Sequence, residues 1–348
     1  MCLCPLPLRK KTAVALAAVF AFFLPVSIAA QSPAPSQAPG GYASLLGGRG
    51  FFPGILFTSV IDSTRQARDS SPYWVRSEQE QRAVDRLVSD FDSILFNNDI
   101  LAFYGHPLSR NMGILGRYPM EEQHKMLVDL AQEYKAVNGG REVKLAFYII
   151  YGTVWPGGDI GIINSDVLKR WIEFAQENDM LVFIDHQIGR FDPVDSLTGM
   201  FKWLDYPNVH LALDPEWQTP NPSVEIGSIS AAQLNRAQEV MEDYIIRNNI
   251  PGERMLVVHQ FHYKMISDRQ NVRSDFRRVR LVHNADGFGP PGVKRSSYAY
   301  NAGATNIPVK GFKLFFDFGI PGAGIDNPLM TPAQVMALQP RPLVIMYQ

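Results

Sequence analysis

Eight short apolar runs, most of them continuous rather than alternating and separated by segments of helical periodicity, constrain this 348-residue chain more than any other feature. They cover residues 100–104, 143–151, 180–185, 209–213, 255–261, 279–284, 311–316 and 343–347. A half-exposed strand alternates apolar with polar residues, whereas continuous runs belong to parallel strands covered on both faces. Between the runs, Pro119 opens a predicted helix over 120–137, Asn164 or Ser165 caps 166–177, and Ser230 caps 231–248. Thr331 and Pro332 supply the cap and first helical position of a further helix over 333–338. Weaker helical patterns lie at 268–276 and 293–301. This alternation predicts an α/β protein with a single (β/α)8 barrel over 99–348. An open doubly wound sheet is the alternative fold, but no glycine-rich turn follows the first run. The eighth run has no helix after it, and the helical pattern at 77–96 is expected to pack against that gap.

The first 98 residues are a different kind of sequence. Arg9, Lys10 and Lys11 precede an apolar stretch over 12–28, and Ala29 and Ala30 follow as small residues. That order predicts a signal peptide over 1–30, cleaved near Ala30, and a secreted or periplasmic protein with no stable membrane insertion after cleavage. Retention as a membrane anchor is the alternative. Residues 31–50 are rich in Pro, Gly, Ser and Ala and read as a flexible linker, and 51–98 as an N-terminal extension carrying the 77–96 helix. Cleavage would leave 30 basic against 34 acidic residues, a balance that offers no electrostatic footing for nucleic acid. Both cysteines, Cys2 and Cys4, lie within the signal segment, so the mature chain holds neither a disulfide nor a thiolate nucleophile.

Barrel enzymes carry their chemistry at the C-terminal ends of the strands. Here those ends are where polar residues gather: Tyr104 and His106 after the first run, Asp185 and His186 after the third, Asp214, Glu216 and Trp217 after the fourth. Gln260 and His262 end the fifth, Asp286 the sixth and Asp317 the seventh. Asp214-Pro215-Glu216-Trp217 is the sharpest of these. Residues two apart on a strand face the same way, which directs both carboxylates to the barrel axis. Two close carboxylates repel when both are ionised, so one keeps its proton near neutrality and serves as a general acid. Trp217 offers a flat surface to a sugar ring, and Asp317 a second carboxylate, either for catalysis or to pair with a lysine such as Lys313. Turn formation and solvation are the bland readings of the same acids. His106, His186, His259 and His262 raise a metal alternative. Barrel hydrolases of the amidohydrolase type end their first strand in His-x-His, however, and Gly105-His106-Pro107 holds one histidine. No Gly-x-Ser-x-Gly elbow and no phosphate-cradling loop occurs.

The Asp-x-Glu ending of the fourth run resembles that of two groups of sugar-cleaving barrels, the chitinases and the cellosyl-type lysozymes. The resemblance implies that Glu216 donates a proton and that Asp214 assists it. The chitinase pattern has a further acid four residues before the glutamate, where this chain has Ala212, and a glycine six before, where it has His210. The segments 104–107, 214–217 and 286–289 together resemble a secreted bacterial barrel family of unknown activity. The expectation is a secreted glycoside hydrolase cleaving a polysaccharide or cell-envelope glycan without a cofactor. Glu216, Asp214 and Asp317 are its expected catalytic residues. Tyr104, His106, Asp185, His186, Trp217, Gln260, His262 and Asp286 are expected to bind substrate. A non-catalytic glycan-binding or envelope-associated barrel and a metal-dependent hydrolase are the alternatives.

Overall fold

Every apolar run becomes a strand, and every strand pairs in parallel with the next. The computed structural model describes residues 93–348. The signal, linker and most of the N-terminal extension, including nearly all of the 77–96 helix, lie outside the described residues. The strands are β1 (Asn98–Gly105), β2 (Glu142–Val154), β3 (Leu181–His186), β4 (Val209–Leu213), β5 (Arg254–Gln260), β6 (Val279–Ala285), β7 (Lys310–Leu314) and β8 (Val344–Tyr347). Each pairs with its successor, and β8 pairs back onto β1 with Ile100 opposite Val344, which closes an eight-stranded parallel barrel. A short antiparallel strand, Ile160–Ile162, folds back on the end of β2.

Two concentric apolar layers follow from the two-residue period of the strands. Ile100, Ala102, Ala146, Tyr148, Phe183, Ala212, Met255, Val257, Val282, Val344 and Met346 pack inside the barrel. Their outward neighbours, among them Leu101, Phe147, Val182, Leu211, Leu256 and Ile345, meet the helices. The helices are α1 (Met120–Lys135), α2 (Ser165–Glu177), α3 (Pro193–Thr198), α4 (Ala231–Arg247), α5 (Pro291–Ala302) and α6 (Pro332–Met336). The predicted caps hold: Asn164 accepts from the Asp166 and Val167 amides, while Ser230 with Gln233 and Thr331 with Gln334 form capping boxes. α4 buries Leu234, Ala237, Met241 and Ile245, one stripe at helical spacing. Among the described residues, no helix is long and apolar enough to cross a membrane.

The weak pattern at 293–301 is a helix, but the one at 268–276 is not. There the chain makes only a 3-10 turn, Arg269–Asn271, entered through Asp268 at φ 53°. Polar side chains of its neighbours satisfy the irregular backbone instead: Asn235 takes both Asn271 and Arg273, Gln238 donates to the Arg273 carbonyl, and Asn306 donates to those of Arg269 and Val272. At the opposite end of the barrel, Asp99 at the start of β1 accepts from Arg141, Asn138 and Arg341. Those three residues precede β2 and β8, so one buried carboxylate ties the closing seam of the barrel.

Candidate functional site

The inward parity that fills the barrel with apolar side chains continues to the strand ends and there turns polar. Tyr104 on β1, Tyr148 on β2, Asp185 on β3, His259 on β5 and Lys313 on β7 occupy inward positions, and Asp214 and Asp286 lie one residue past β4 and β6. One side chain from each of seven strands thus meets at the axis, and all are buried. Tyr104 donates its hydroxyl proton to Asp185 Oδ2 at 2.9 Å. His259 bridges Tyr148, 2.7 Å from Nε2, and Asp286 Oδ2, 2.6 Å from Nδ1, with Asp185 Oδ2 at 3.6 Å. Lys313 Nζ stands 3.5 Å from Asp286 Oδ2 and 3.7 Å from the centre of the Tyr104 ring, a cation–π contact. Asn284 donates to Asp286 Oδ1. This is possible because β7 carries Gly311 opposite: a Cβ there would run into the Asn284 amide oxygen.

Asp214 and Glu216 share this mouth by a different route from strand alternation. β4 ends at Leu213, and Pro215, which has no N–H for a ladder, starts a 3-10 turn, Pro215–Trp217. The turn folds Trp217 back so that its indole N–H donates to Asp214 Oδ2 at 3.1 Å. Glu216 keeps partial exposure at the rim.

The mouth holds four carboxyls against two cations, and the protonation states follow. Burial drives Asp214 up to about 7, with the negative charges of Asp185 and Asp286 adding and the positive charges of His259 and Lys313 opposing. Desolvation of its carboxyl, then the charge of Asp214, raises Glu216 well above the carboxylate range. Burial also raises Asp185, against the pull of His259 and Lys313. Asp286 behaves oppositely: burial would raise it, but His259, Lys313 and two hydrogen bonds outweigh that and hold it at about 2. His259 is the counterpart. Burial alone would neutralise it, yet Asp286 and Asp185 lift it to about 9, so at neutral pH both ring nitrogens carry protons, directed at Asp286 and Tyr148. Among the described residues, Asp185 Oδ1 and Asp214 Oδ1 are buried with no hydrogen-bond partner.

Among the sequence-predicted residues, the structure gathers Tyr104, Asp185, Asp214, Glu216, Trp217 and Asp286. The others lie elsewhere. Asp317 is exposed, three residues beyond β7, and accepts the Gly319 amide in a local turn; Lys313 pairs with Asp286 instead. His186 faces outward from β3 over Gly152 and accepts the Ile188 amide, and burial lowers it to about 4. Gln260 is buried between His283 and Arg269. His106 and His262 each accept a nearby backbone N–H, from Leu108 and Lys264. Among the described residues, no three His, Cys, Asp or Glu side chains are grouped to hold a metal ion. Tyr148 was missed by sequence reasoning, and the place of His259 and Lys313 at the axis was missed too. The signal was available in inward parity, as in the series Met255, Val257, His259.

A cavity of about 670 Å³ opens away from this cluster, lined by Tyr263, Lys264, Arg269, Tyr300 and Asn306, where the irregular segment stands in place of a helix between α4 and α5.

No protein-family model matches the chain, and no curated protein does. Solved structures to which it is similar are glycoside hydrolases at low identity. A chitinase from Chromobacterium violaceum has 9% identity and a TM-score of 0.35, over 62% of this chain and 68% of its own. A family 18 chitinase from Crocus vernus has 10% identity and a TM-score of 0.37, over 72% and 92%. A β-glucosidase from Thermotoga maritima has 10% identity and a TM-score of 0.35, over 72% and 87%. The barrel is established by its own closed strand pairing, and the site by its own contacts.

Proposed function

We propose that this protein is an exported glycoside hydrolase acting on a polysaccharide or cell-envelope glycan, with Glu216 as the general acid. One observation carries the reading: within a single barrel mouth, Glu216 and Asp214 retain protons near neutrality while Asp286 stays ionised. Carboxyls pushed apart in this way are what acid-catalysed glycoside cleavage requires, since one must give a proton while negative charge faces the developing oxocarbenium ion. Glu216, at the rim, passes its proton to the glycosidic oxygen. Asp214 beside it keeps that proton in place, held by the Trp217 indole. Asp286 supplies the negative charge first expected of Asp317, which the structure places outside the cluster. Export rests on the N-terminal sequence pattern.

The burial of Asp185, Asp214 and Asp286, at 0%, 3% and 7% exposure, favours one second reading, a glycan-binding barrel without turnover. The Glu216→Gln variant separates the two in a screen of glycan hydrolysis alongside direct binding. In the hydrolase, turnover collapses and binding survives; equal turnover in variant and wild type takes Glu216 out of the chemistry.

A further inference from the structure

We propose that the cavity on the flank of the barrel between α4 and α5 is a second binding site, which takes an acidic sugar with its carboxylate on Arg269 and Lys264 and its ring against Tyr263 and Tyr300. The site lies outside the mouth and goes beyond the hydrolase reading. It exists because one helix is missing. The segment after β5 forms only short turns before β6, so no helix covers the barrel between α4 and α5. A cavity of about 670 Å³ opens there, a size suited to a small ligand. Its walls are held in place: Ile229 pairs with Ile266, and Asn306 donates to the carbonyls of Arg269 and Val272 at 3.0 and 2.8 Å. Tyr263 and Tyr300 are 57% and 41% exposed, which leaves flat apolar surface for a sugar ring.

Charge selects the ligand. Residues 260–313 hold ten basic residues against three acidic ones, in a chain with 33 against 34 overall. Several of the ten are answered nearby: Arg273 by Asp275, Arg280 by Glu253, Lys294 by Asp326 and Lys313 by Asp286. Lys264 and Arg269 both line the cavity, and neither has a carboxylate partner among the described residues. Burial lowers the pKa of Arg269, and what opposes it is the Tyr300 hydroxyl rather than Asp268, the exposed acid of the same wall. The guanidinium is nonetheless fixed. Its central carbon lies 4.0 Å over the Tyr300 ring, and Nη1 donates to Gln260 Oε1 at 3.3 Å. Nε and Nη2 have no acceptor among the described residues, which leaves donors in the fork geometry that matches a carboxylate. A neutral sugar would leave this half-buried cation unanswered, and a bare inorganic anion would leave both tyrosines unused.

Isothermal titration of the full chain at about pH 7 tests this. The probes are tetramers of β-1,4-linked mannuronic acid and α-1,4-linked galacturonic acid, each against its own methyl ester, and inorganic phosphate. At least one acid should bind roughly tenfold or more tightly than its ester, with the preference shrinking as salt is raised. Arg269→Gln should remove the preference, and Arg269→Lys should restore part of it, since an ammonium keeps the charge and loses the fork. Lys264→Gln, at an exposed position, should weaken the acid about threefold and serves if circular dichroism shows Arg269→Gln unfolded. Equal affinity for acid and ester, failure of both acids to bind, or acid binding that the folded variants leave unchanged overturns the proposal. Phosphate binding as tight as that of the tetramers, and equally dependent on Arg269, overturns the sugar. Hydrolysis at the mouth is read separately through Glu216→Gln, so failure of either reading leaves the other standing.

Discussion

Raising the pH from about 4 to about 9 should progressively destabilise this protein, in contrast to proteins whose carboxylates are mainly stabilised as ions. A carboxyl whose pKa is higher folded than unfolded binds its proton more tightly in the folded state, so it withdraws stability as the unfolded chain deprotonates. For Asp214 that window runs from 3.8 to about 7, and three units at about 1.4 kcal/mol each amount to about 4 kcal/mol. His259 acts in the same direction over the next window. Its folded pKa is raised from 6.5 to about 9, so its contribution is complete below 6.5 and lost as the pH passes 9, about 3 kcal/mol in all. Asp286, depressed from 3.8 to about 2, contributes stability present above 3.8 and lost as the pH falls toward 2. The maximum therefore sits near pH 4. Urea denaturation followed by circular dichroism at about pH 4, 5.5, 7 and 9 measures the slope. Asp214→Asn should flatten the lower window, and His259→Gln the upper one. A wild-type stability that is level or rising across the range, or an Asp214→Asn variant that keeps the lower slope, refutes the assignment of protons in the mouth.

Two structural predictions test what supports the site. Lys294 and Asp326 form an ion pair at 3.1 Å with both side chains fully buried; Lys294 also donates to the Gly287 and Lys313 carbonyls, and Asp326 accepts the Gly289 and Phe315 amides. Lys294→Met strands the carboxylate and should cost about 3–5 kcal/mol in denaturant unfolding; a loss near zero would show that the pair does not tie these loops. Gly311→Ala should cost about 1–3 kcal/mol, because the new methyl meets the Asn284 amide against a rigid strand, and unchanged stability would mean that Asn284 can leave Asp286 freely.

How much was legible in the sequence depended on which physical period a residue obeys. The strands were readable because burial on both faces makes each run mostly apolar, with polar residues gathered toward its end, and the caps at Asn164, Ser230 and Thr331 because a side-chain oxygen there has one local job. The segment 268–276 misled because its backbone partners, Asn235, Gln238 and Asn306, lie 35 or more residues away along the chain in several cases and leave no local pattern. Asp214 and Glu216 were read as strand neighbours facing one way, whereas Pro215 ends the ladder and a 3-10 turn brings them together. Asp317 followed the same apolar run as Lys313, but the run overshoots the strand: β7 stops at Leu314, and only Lys313 retains the inward parity. The four histidines together suggest a metal set in the sequence, yet only His259 of the four occupies an inward position at a strand end.

The order of the strands around the barrel explains why the protons rest on the β4 side. Asp286, following β6, lies between His259 on β5 and Lys313 on β7, so both cations flank it and it ionises readily. Asp214, following β4, has His259 on one side but the acid Asp185 of β3 on the other. Its attraction to one cation is offset by repulsion from a neighbouring carboxylate, and burial then decides in favour of the neutral form. Glu216 continues beyond Asp214 and inherits that acid as its nearest charge, which raises it further. The proton donor is therefore set by which strands carry the two cations, and a lysine moved from β7 to the β3 side would be expected to exchange the roles of the two acidic ends of the mouth.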